Sequence, residues 1–105
     1  MSTSKKIISA GHICIDITPV FPAASEAPLG ELLTPGKLIH MDPANVHTGG
    51  SVANTGLALK LLGADVSLMG KIGNDDFGRL VLSALEPYDA AGDMLISETA
   101  TTSYT

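Results

Sequence analysis

The residues best suited to chemistry lie around a pair of adjacent glycines. Gly49 and Gly50 stand directly before a stretch that predicts a helix, and Asp16 directly follows an apolar run. Free N–H groups and the positive end of the helix dipole collect at a helix N-terminus, which binds anions or hydroxyl-rich ligands where no side chain blocks it. Asn54 lies one turn into the same helix. A carboxylate, bare backbone and an amide would together form a site that recognises hydroxyl groups.

Simpler interpretations of these residues stay open at this point. The two glycines can serve only a tight loop that needs positive φ, and Asp16 can be a turn residue before Pro19. Cys14 lies in the apolar run and behaves as a small core residue in the simplest interpretation. The three histidines fit no metal-ligand spacing and are interpreted as loop or strand-end residues: His12, His40 and His47.

Other catalytic motifs are excluded by spacing. The sequence contains no P-loop, no G-x-G-x-x-G and no G-x-S-x-G, so neither a Walker-type phosphate loop nor a nucleophile elbow is predicted. Asp75 and Asp76 are adjacent carboxylates, but capping of the following helix explains them more simply than a metal does. We therefore predict no metal site in this chain.

Composition narrows the class of partner. The 105 residues carry a net charge of −5 and no run of Lys or Arg, which argues against nucleic acid or an anionic membrane as partner. The single cysteine allows no internal disulfide and favours a reducing compartment, which we expect to be the cytoplasm. Neither a signal peptide nor a membrane-spanning run of about 20 apolar residues is predicted.

The elements that must position these residues follow an α/β order. After the first strand comes an irregular, proline-rich excursion, and the second helix carries an amphipathic stripe that includes Phe77, Leu80, Val81 and Leu85. The first predicted elements are a strand over Lys6–Ile15, the excursion over Pro19–Pro35 and a strand over Lys37–Asp42. A helix follows over Gly50–Leu62, with Gly63 as its C′ residue, and then a strand over Val66–Met69. The last are a helix capped by Asn74 or Asp75 and ended by Pro87, and a strand over Asp93–Ser97.

This order predicts a largely parallel sheet with right-handed crossovers, in which Lys6–Ile15 and Val66–Met69 lie side by side. In such sheets ligands bind beyond the carboxyl ends of the strands, which is where we expect Asp16 and the helix N-terminus to converge. Thr99–Thr105 is β-prone and predicts the start of a further strand. We therefore expect residues 1–105 to be the first third of a larger single domain.

The glycine spacing resembles a known family. The positions of Gly49-Gly50, Asn54, Gly63 and Gly73 resemble the N-terminal signature of the ribokinase-like (PfkB) sugar kinases, over nearly the whole chain. "GHICID" is similar to that family's first strand with its sugar-binding aspartate, and "GKIGNDDFG" is similar to its G-x-x-G-x-D-x-x-G stretch. Val52, Gly56 and a longer excursion are departures from the family pattern.

The resemblance implies an α/β, ribokinase-like fold and an activity. Family members transfer the γ-phosphoryl group of ATP to a hydroxyl of a sugar or nucleoside, and their N-terminal third supplies sugar-binding groups and part of a small β lid. Matched residue by residue, the substrate-binding groups are Asp16, Gly49, Gly50, Asn54 and Cys14. Cys14 stands where ribokinases proper usually have an asparagine that touches the sugar, so ribose itself is not the expected substrate.

The resemblance also implies what lies elsewhere. The lid would comprise segments near 17–46 and 97–105, including the Lys37–Asp42 strand and a strand from near Thr99, and in many members the lid forms a homodimer contact. ATP and Mg²⁺ would bind mainly outside this segment, and the catalytic base lies in a C-terminal G-A-G-D-type motif that this sequence lacks. No catalytic residue is therefore assigned, and residues 1–105 alone are not expected to be active.

Three hypotheses remain at this stage. The chain is the N-terminal, substrate-binding part of a sugar kinase, the same part of a nucleoside kinase, or a non-catalytic carbohydrate-binding or structural module. A larger apolar pocket near Cys14 would favour a nucleoside. A G-A-G-D motif in the same reading frame would separate the two kinases from the module.

Overall fold

The computed structural model describes residues 5–22 and 27–105. The first four residues, and residues 23–26 inside the predicted excursion, lie outside this described part. The elements follow in the order β1 (Ile7–Gly11), β2 (Cys14–Val20), α1 (Leu29–Leu32), β3 (Asp42–Gly49), α2 (Gly50–Leu61), β4 (Val66–Gly73), α3 (Asp76–Leu85), a 3₁₀ turn (Glu86–Tyr88) and β5 (Leu95–Ser97).

The larger sheet is parallel, as predicted. Its strand order is β1-β4-β5, and β1 pairs in parallel with β4 from Ile7 opposite Val66 to Gly11 opposite Gly70. The strand predicted at Val66–Met69 continues to Gly73, and β5 occupies the last three residues of the predicted Asp93–Ser97 strand. The prediction of an α/β fold with a parallel sheet and flanking helices is confirmed.

The single strand predicted over Lys6–Ile15 is wrong, because the chain changes sheets in the middle of that run. Gly11 has a φ of +145°, a conformation that side chains rarely allow, and β1 ends there. The carbonyl oxygen of His12 then accepts a hydrogen bond from the N–H of Val52 in α2, at 3.0 Å. The next strand, β2, therefore belongs to a second sheet and runs through Asp16 instead of ending before it.

The second sheet is small and antiparallel. In this sheet β2 pairs with β3, from Cys14 opposite Gly49 to Val20 opposite Asp42, with a bulge between Thr18 and Val20. The strand predicted over Lys37–Asp42 is wrong, since β3 begins only at Asp42. Most of β3 is exposed, so its polar residues carry no apolar alternation that the sequence could have revealed.

The last residues of the chain pair with the other edge of β2. Ile15 donates its N–H to the carbonyl of Ser103 at 3.1 Å and accepts from the N–H of Thr105 at 2.9 Å. Ile17 also donates to Thr105, and Tyr104 forms an isolated parallel bridge with Ile15. The β-prone segment Thr99–Thr105 thus begins pairing only near its end, and β2 is flanked on both sides.

The two longer helices pack on these sheets and end as their sequences predict. Helix α2 contacts β1 and β4, while α3 contacts β4 and both strands of the small sheet. Gly63 follows α2 with a φ of +86°, as expected of a C′ glycine. Asp75 is the cap of α3, and its side chain accepts from the N–H of Gly78 at 2.8 Å.

The core lies between the helices and the sheets. Val81 and Leu85 of the predicted α3 stripe are fully buried, and Phe77 packs beside them, but Leu80 of that stripe is 41% exposed. The buried apolar cluster comprises Ile13, Ile15, Val52, Ala53, Val66, Leu68, Ile72, Val81, Leu85 and Ala90. This cluster fixes β2, and with it Asp16, against the N-terminal part of α2.

Candidate functional site

Asp16 lies on the small sheet, directly opposite His47 in the register of β2 and β3. Register partners in an antiparallel pair place their side chains on one face of the sheet, and residues two apart on a strand share that face. Cys14, Asp16 and His47 therefore project on the same side, beside the end of β3 where α2 begins. Asp16 is brought to the helix N-terminus by antiparallel pairing, and not by the parallel-sheet edge that we expected.

Gly49 keeps the space beside Asp16 open. Its backbone is extended, with a φ of −131°, so conformation alone does not require glycine at this position. A Cβ placed there would instead lie 2.8 Å from both Cγ and Oδ1 of Asp16, which is closer than real Cβ atoms approach other atoms. The carboxylate of Asp16 therefore rests against bare backbone at the start of α2.

Gly50 is required for two reasons. Its φ of +87° lies in the left-handed region, and a Cβ at this position would lie 2.7 Å from the carbonyl oxygen of His12. The tight approach accompanies the hydrogen bond from Val52 to the same His12 oxygen. Gly50 therefore serves a turn that needs positive φ, and Gly49 makes room for the carboxylate of Asp16, while ligand binding at this helix N-terminus stays a prediction.

Cys14 contacts the same carboxylate from within the core. The Cys14 thiol is buried and donates to Oδ1 of Asp16 at 3.3 Å. Burial raises the pKa of Cys14, the hydrogen bond to Asp16 and the negative charge of Asp16 raise it further, and a backbone hydrogen bond from Gly49 acts in the opposite direction. The protonated thiol is consequently a fixed, weak donor that orients Asp16 without neutralising it.

Asn54 lies apart from this cluster. It is exposed on α2, four residues after Gly50 and therefore on the same side of the helix. Of the predicted site residues, the structure brings together Cys14, Asp16, Gly49 and Gly50. No hydrogen bond joins the side chain of Asn54 to this group within the described residues.

His47 lies beside Asp16, a position that sequence reasoning missed. Its Nε2 atom lies 3.8 Å from Oδ2 of Asp16, and its side chain is 59% exposed against 31% for that of Asp16. We had interpreted His47 as a loop or strand-end imidazole. The sequence places His47 two residues before Gly49, so the two residues share one face of an extended strand. This spacing indicates a position beside Asp16 only once the pairing of β2 with β3 is known.

A second polar cluster ties α3 to the end of the chain. The Thr102 hydroxyl donates to Oδ1 of Asp75 at 2.6 Å, and the Thr102 N–H donates to Oδ2 at 2.9 Å. Thr102 in turn accepts from the N–H of Gly73 at 2.9 Å. These hydrogen bonds, led by that of the Thr102 side chain, lower the pKa of Asp75. Asp76 is exposed and pairs with Arg79, so the two neighbouring carboxylates act separately.

Among residues 5–22 and 27–105, no three His, Cys, Asp or Glu side chains cluster closely enough to hold a metal ion. Within the same ranges, none of the helices combines the length and apolar character needed to cross a membrane.

The class of protein is shown by comparison with known families. Residues 4–103 match the model of the pfkB family carbohydrate kinases, which is nearly the whole chain. The chain belongs to this family, as its glycine spacing predicted.

Known relatives agree with this assignment. The chain is 40% identical over 67 residues to the bifunctional protein HldE of Hydrogenovibrio crunogenus, which is 64% of this chain and 14% of HldE. It is 33% identical over 87 residues to fructokinase-2 of Solanum lycopersicum, covering 81% of this chain and 22% of that enzyme. The chain therefore spans less than a quarter of the length of these curated relatives.

A solved structure shows the same fold. The fructokinase of Xylella fastidiosa with bound ATP superimposes with a TM-score of 0.67 at 22% identity, over 97% of this chain and 26% of that one. At this identity the similarity establishes the fold, which is ribokinase-like as predicted.

Proposed function

We propose that residues 1–105 are the N-terminal, substrate-binding portion of an ATP-dependent sugar kinase that transfers a γ-phosphoryl group to a sugar hydroxyl. The remainder would belong to a longer chain, which we call the parent. Family membership supports a carbohydrate kinase, and the fructokinases among the relatives favour a sugar over a nucleoside as acceptor.

The observation that carries the proposal is the open carboxylate of Asp16. An ionised carboxylate only accepts hydrogen bonds and has about four acceptor positions, of which Cys14 takes one. The carboxylate packs against the bare backbone of Gly49, and the side chain of Asp16 is still 31% exposed. Two neighbouring hydroxyls of one sugar could therefore bind the exposed part of Asp16 together, beside the N-terminus of α2.

In the proposed kinase, this part of the chain binds and orients the acceptor. Phosphoryl transfer depends mostly on positioning and on stabilising the charge of the phosphate. ATP would supply the phosphoryl group and Mg²⁺ would neutralise charge on it. We expect both to be held mainly by other parts of the parent, as the family resemblance implies.

The small sheet would serve as the lid over the sugar. Segments near 17–46 and 97–105 both contribute to it, since the second pairs with β2 on the edge opposite β3. Phe21, Leu33 and Val46 remain 41–53% exposed on this sheet and the adjoining coil. That apolar surface is consistent with a homodimer contact through the lid. We expect the protein to act in the cytoplasm.

The test is a phosphorylation screen of the purified parent with ATP against ketoses, aldoses and nucleosides, paired with thermal-shift measurements. We expect turnover with a free sugar and a rise in Tm with the same sugar. Turnover only with nucleosides would support the alternative kinase. Sugar binding without any turnover would support a non-catalytic carbohydrate-binding module and would contradict the proposal.

A further inference from the structure

We propose that His47 determines sugar specificity by donating a hydrogen bond to one of the hydroxyls that Asp16 accepts. The inference rests on the proposed sugar-kinase function and adds a residue to the substrate site. It follows from the register of β2 and β3, which places His47 opposite Asp16 on the same face of the small sheet.

The separation of the two side chains fits a shared ligand atom. Nε2 of His47 lies 3.8 Å from Oδ2 of Asp16, which is too long for a hydrogen bond between them. Hydrogen bonds to a hydroxyl oxygen are about 2.8 Å from a carboxylate oxygen and about 2.9 Å from a ring nitrogen. One hydroxyl oxygen can therefore contact both atoms, donating its proton to Asp16 and accepting from the Nε2–H of His47.

The two oxygens of Asp16 have different surroundings, so two hydroxyls of one sugar would bind to them differently. Oδ1 already accepts from the buried thiol of Cys14, whereas Oδ2 lies against the backbone of Gly49 and 3.8 Å from Nε2 of His47. The hydroxyl bound at Oδ2 would donate its proton to Asp16 and accept a hydrogen bond from His47. The neighbouring hydroxyl at Oδ1 would only donate its proton to Asp16. The site would thereby be selective for the position and stereochemistry of one hydroxyl of the sugar.

His47 can take this role without supporting the fold. It is 59% exposed on a strand whose residues are mostly exposed, and its ring is outside the buried apolar cluster. Substitution should therefore change sugar binding while the protein stays folded.

The experiment measures KM and kcat of the parent kinase for its sugar and for each monodeoxy analogue of that sugar. We expect His47→Ala to raise the KM for the sugar about fivefold to tenfold with little change in kcat, as expected for the loss of one neutral hydrogen bond. For one monodeoxy analogue, which lacks the hydroxyl that accepts a hydrogen bond from His47, the variant and the wild type should have equal KM values.

Two further variants sharpen the result. His47→Gln keeps an N–H donor near the position of Nε2 and should recover part of the lost affinity. His40→Ala removes a histidine from the coil before β3 and should behave as wild type.

Each other outcome overturns the inference in a distinguishable way. An equal penalty for the sugar and for every analogue would mean that His47 only holds Asp16, and no penalty would mean that it is a solvated side chain. In both cases the parent still phosphorylates the sugar, so the proposed function stands. A parent that phosphorylates no sugar would remove the proposed function and this inference together.

Discussion

Glycine is needed at positions 49 and 50 for different physical reasons, and the two positions can be separated by experiment. At Gly50 the backbone has a φ of +87°, so a side chain there is strained whatever space surrounds it. At Gly49 the backbone is ordinary, and only the carboxylate of Asp16 excludes a side chain. One substitution therefore tests the fold and the other tests the site.

We expect Gly49→Ala to lower kcat/KM for the sugar on the order of 10-fold to 100-fold in the parent kinase, because the new methyl group must displace Asp16. Thermal unfolding should change less than in Gly50→Ala, which should lose about 1–2 kcal/mol from the left-handed backbone alone. Steady-state kinetics and thermal unfolding of both variants check the prediction.

The matched control is Gly30→Ala. A Cβ at Gly30 meets nothing within 4 Å, so activity and stability should both stay near wild type. A Gly49→Ala variant with unchanged sugar kinetics would show that Asp16 has room to move and that Gly49 has no role in the site.

Among the elements, α3 shows how one capping residue also organises distant chain. Asp75 accepts from Gly78 within its own helix and from both the N–H and the hydroxyl of Thr102, which lies 27 residues further on. Thr102 immediately precedes the segment that pairs with β2. The cap of α3 therefore holds the terminal segment, and through it the edge of the strand that carries Asp16.

This cap predicts a pH dependence of stability. The pKa of Asp75 is lower in the folded chain than its ordinary value near 3.9, mainly because of the Thr102 hydroxyl. Its contribution to stability is therefore fully present above the ordinary pKa, and it is lost as the pH falls through the lowered pKa of the folded state. Asp75→Asn should lower the Tm of the parent by several degrees at pH 7, and by progressively less as the pH falls below 4.

Asp76→Asn is the control for that prediction, since Asp76 is exposed and pairs only with Arg79. Exposed pairs of this kind contribute little to stability. Equal Tm values for Asp75→Asn and wild type across this pH range would contradict the assigned role of the cap.

The elements also show what the sequence can predict. The parallel pairing of β1 with β4 was predictable from the alternating order of strands and helices. The C′ glycine of α2 at Gly63 and the cap of α3 at Asn74 or Asp75 were predictable because helix caps are local. Four features depended on long-range pairing: the break at Gly11, the true extent of β3, the pairing of the terminal segment, and the position of His47 beside Asp16. Because β3 is exposed, its sequence has no apolar alternation that would indicate its pairing.

At the scale of the whole molecule, large apolar side chains at the end of α2 and on β5 are left uncovered. Leu61, Leu62 and Leu95 are 64–83% exposed, and β5 is paired on one side only, with β4. Continuous apolar surface and an open strand edge promote association. In the proposed parent these surfaces would be covered by further elements of the domain.

We accordingly expect residues 1–105, produced alone, to be poorly soluble or molten and to show no ATP turnover. Near-ultraviolet circular dichroism, dye binding and thermal unfolding would measure the loss of fixed packing. A sharp cooperative melt of the isolated monomer, or measurable kinase activity, would show that this segment is self-sufficient.

The most direct test of the central claim is the substitution Asp16→Asn in the parent kinase. Asparagine keeps the size of the side chain but removes the charge and one acceptor, and hydrogen bonds to charged groups contribute about 1.5–3 kcal/mol each. The account predicts that kcat/KM for the sugar falls on the order of 10²-fold or more, while the KM for ATP changes little. Asp76→Asn, measured beside it, should match wild type. A folded Asp16→Asn protein with full sugar efficiency would show that Asp16 is a structural residue of β2 and would contradict the proposed site.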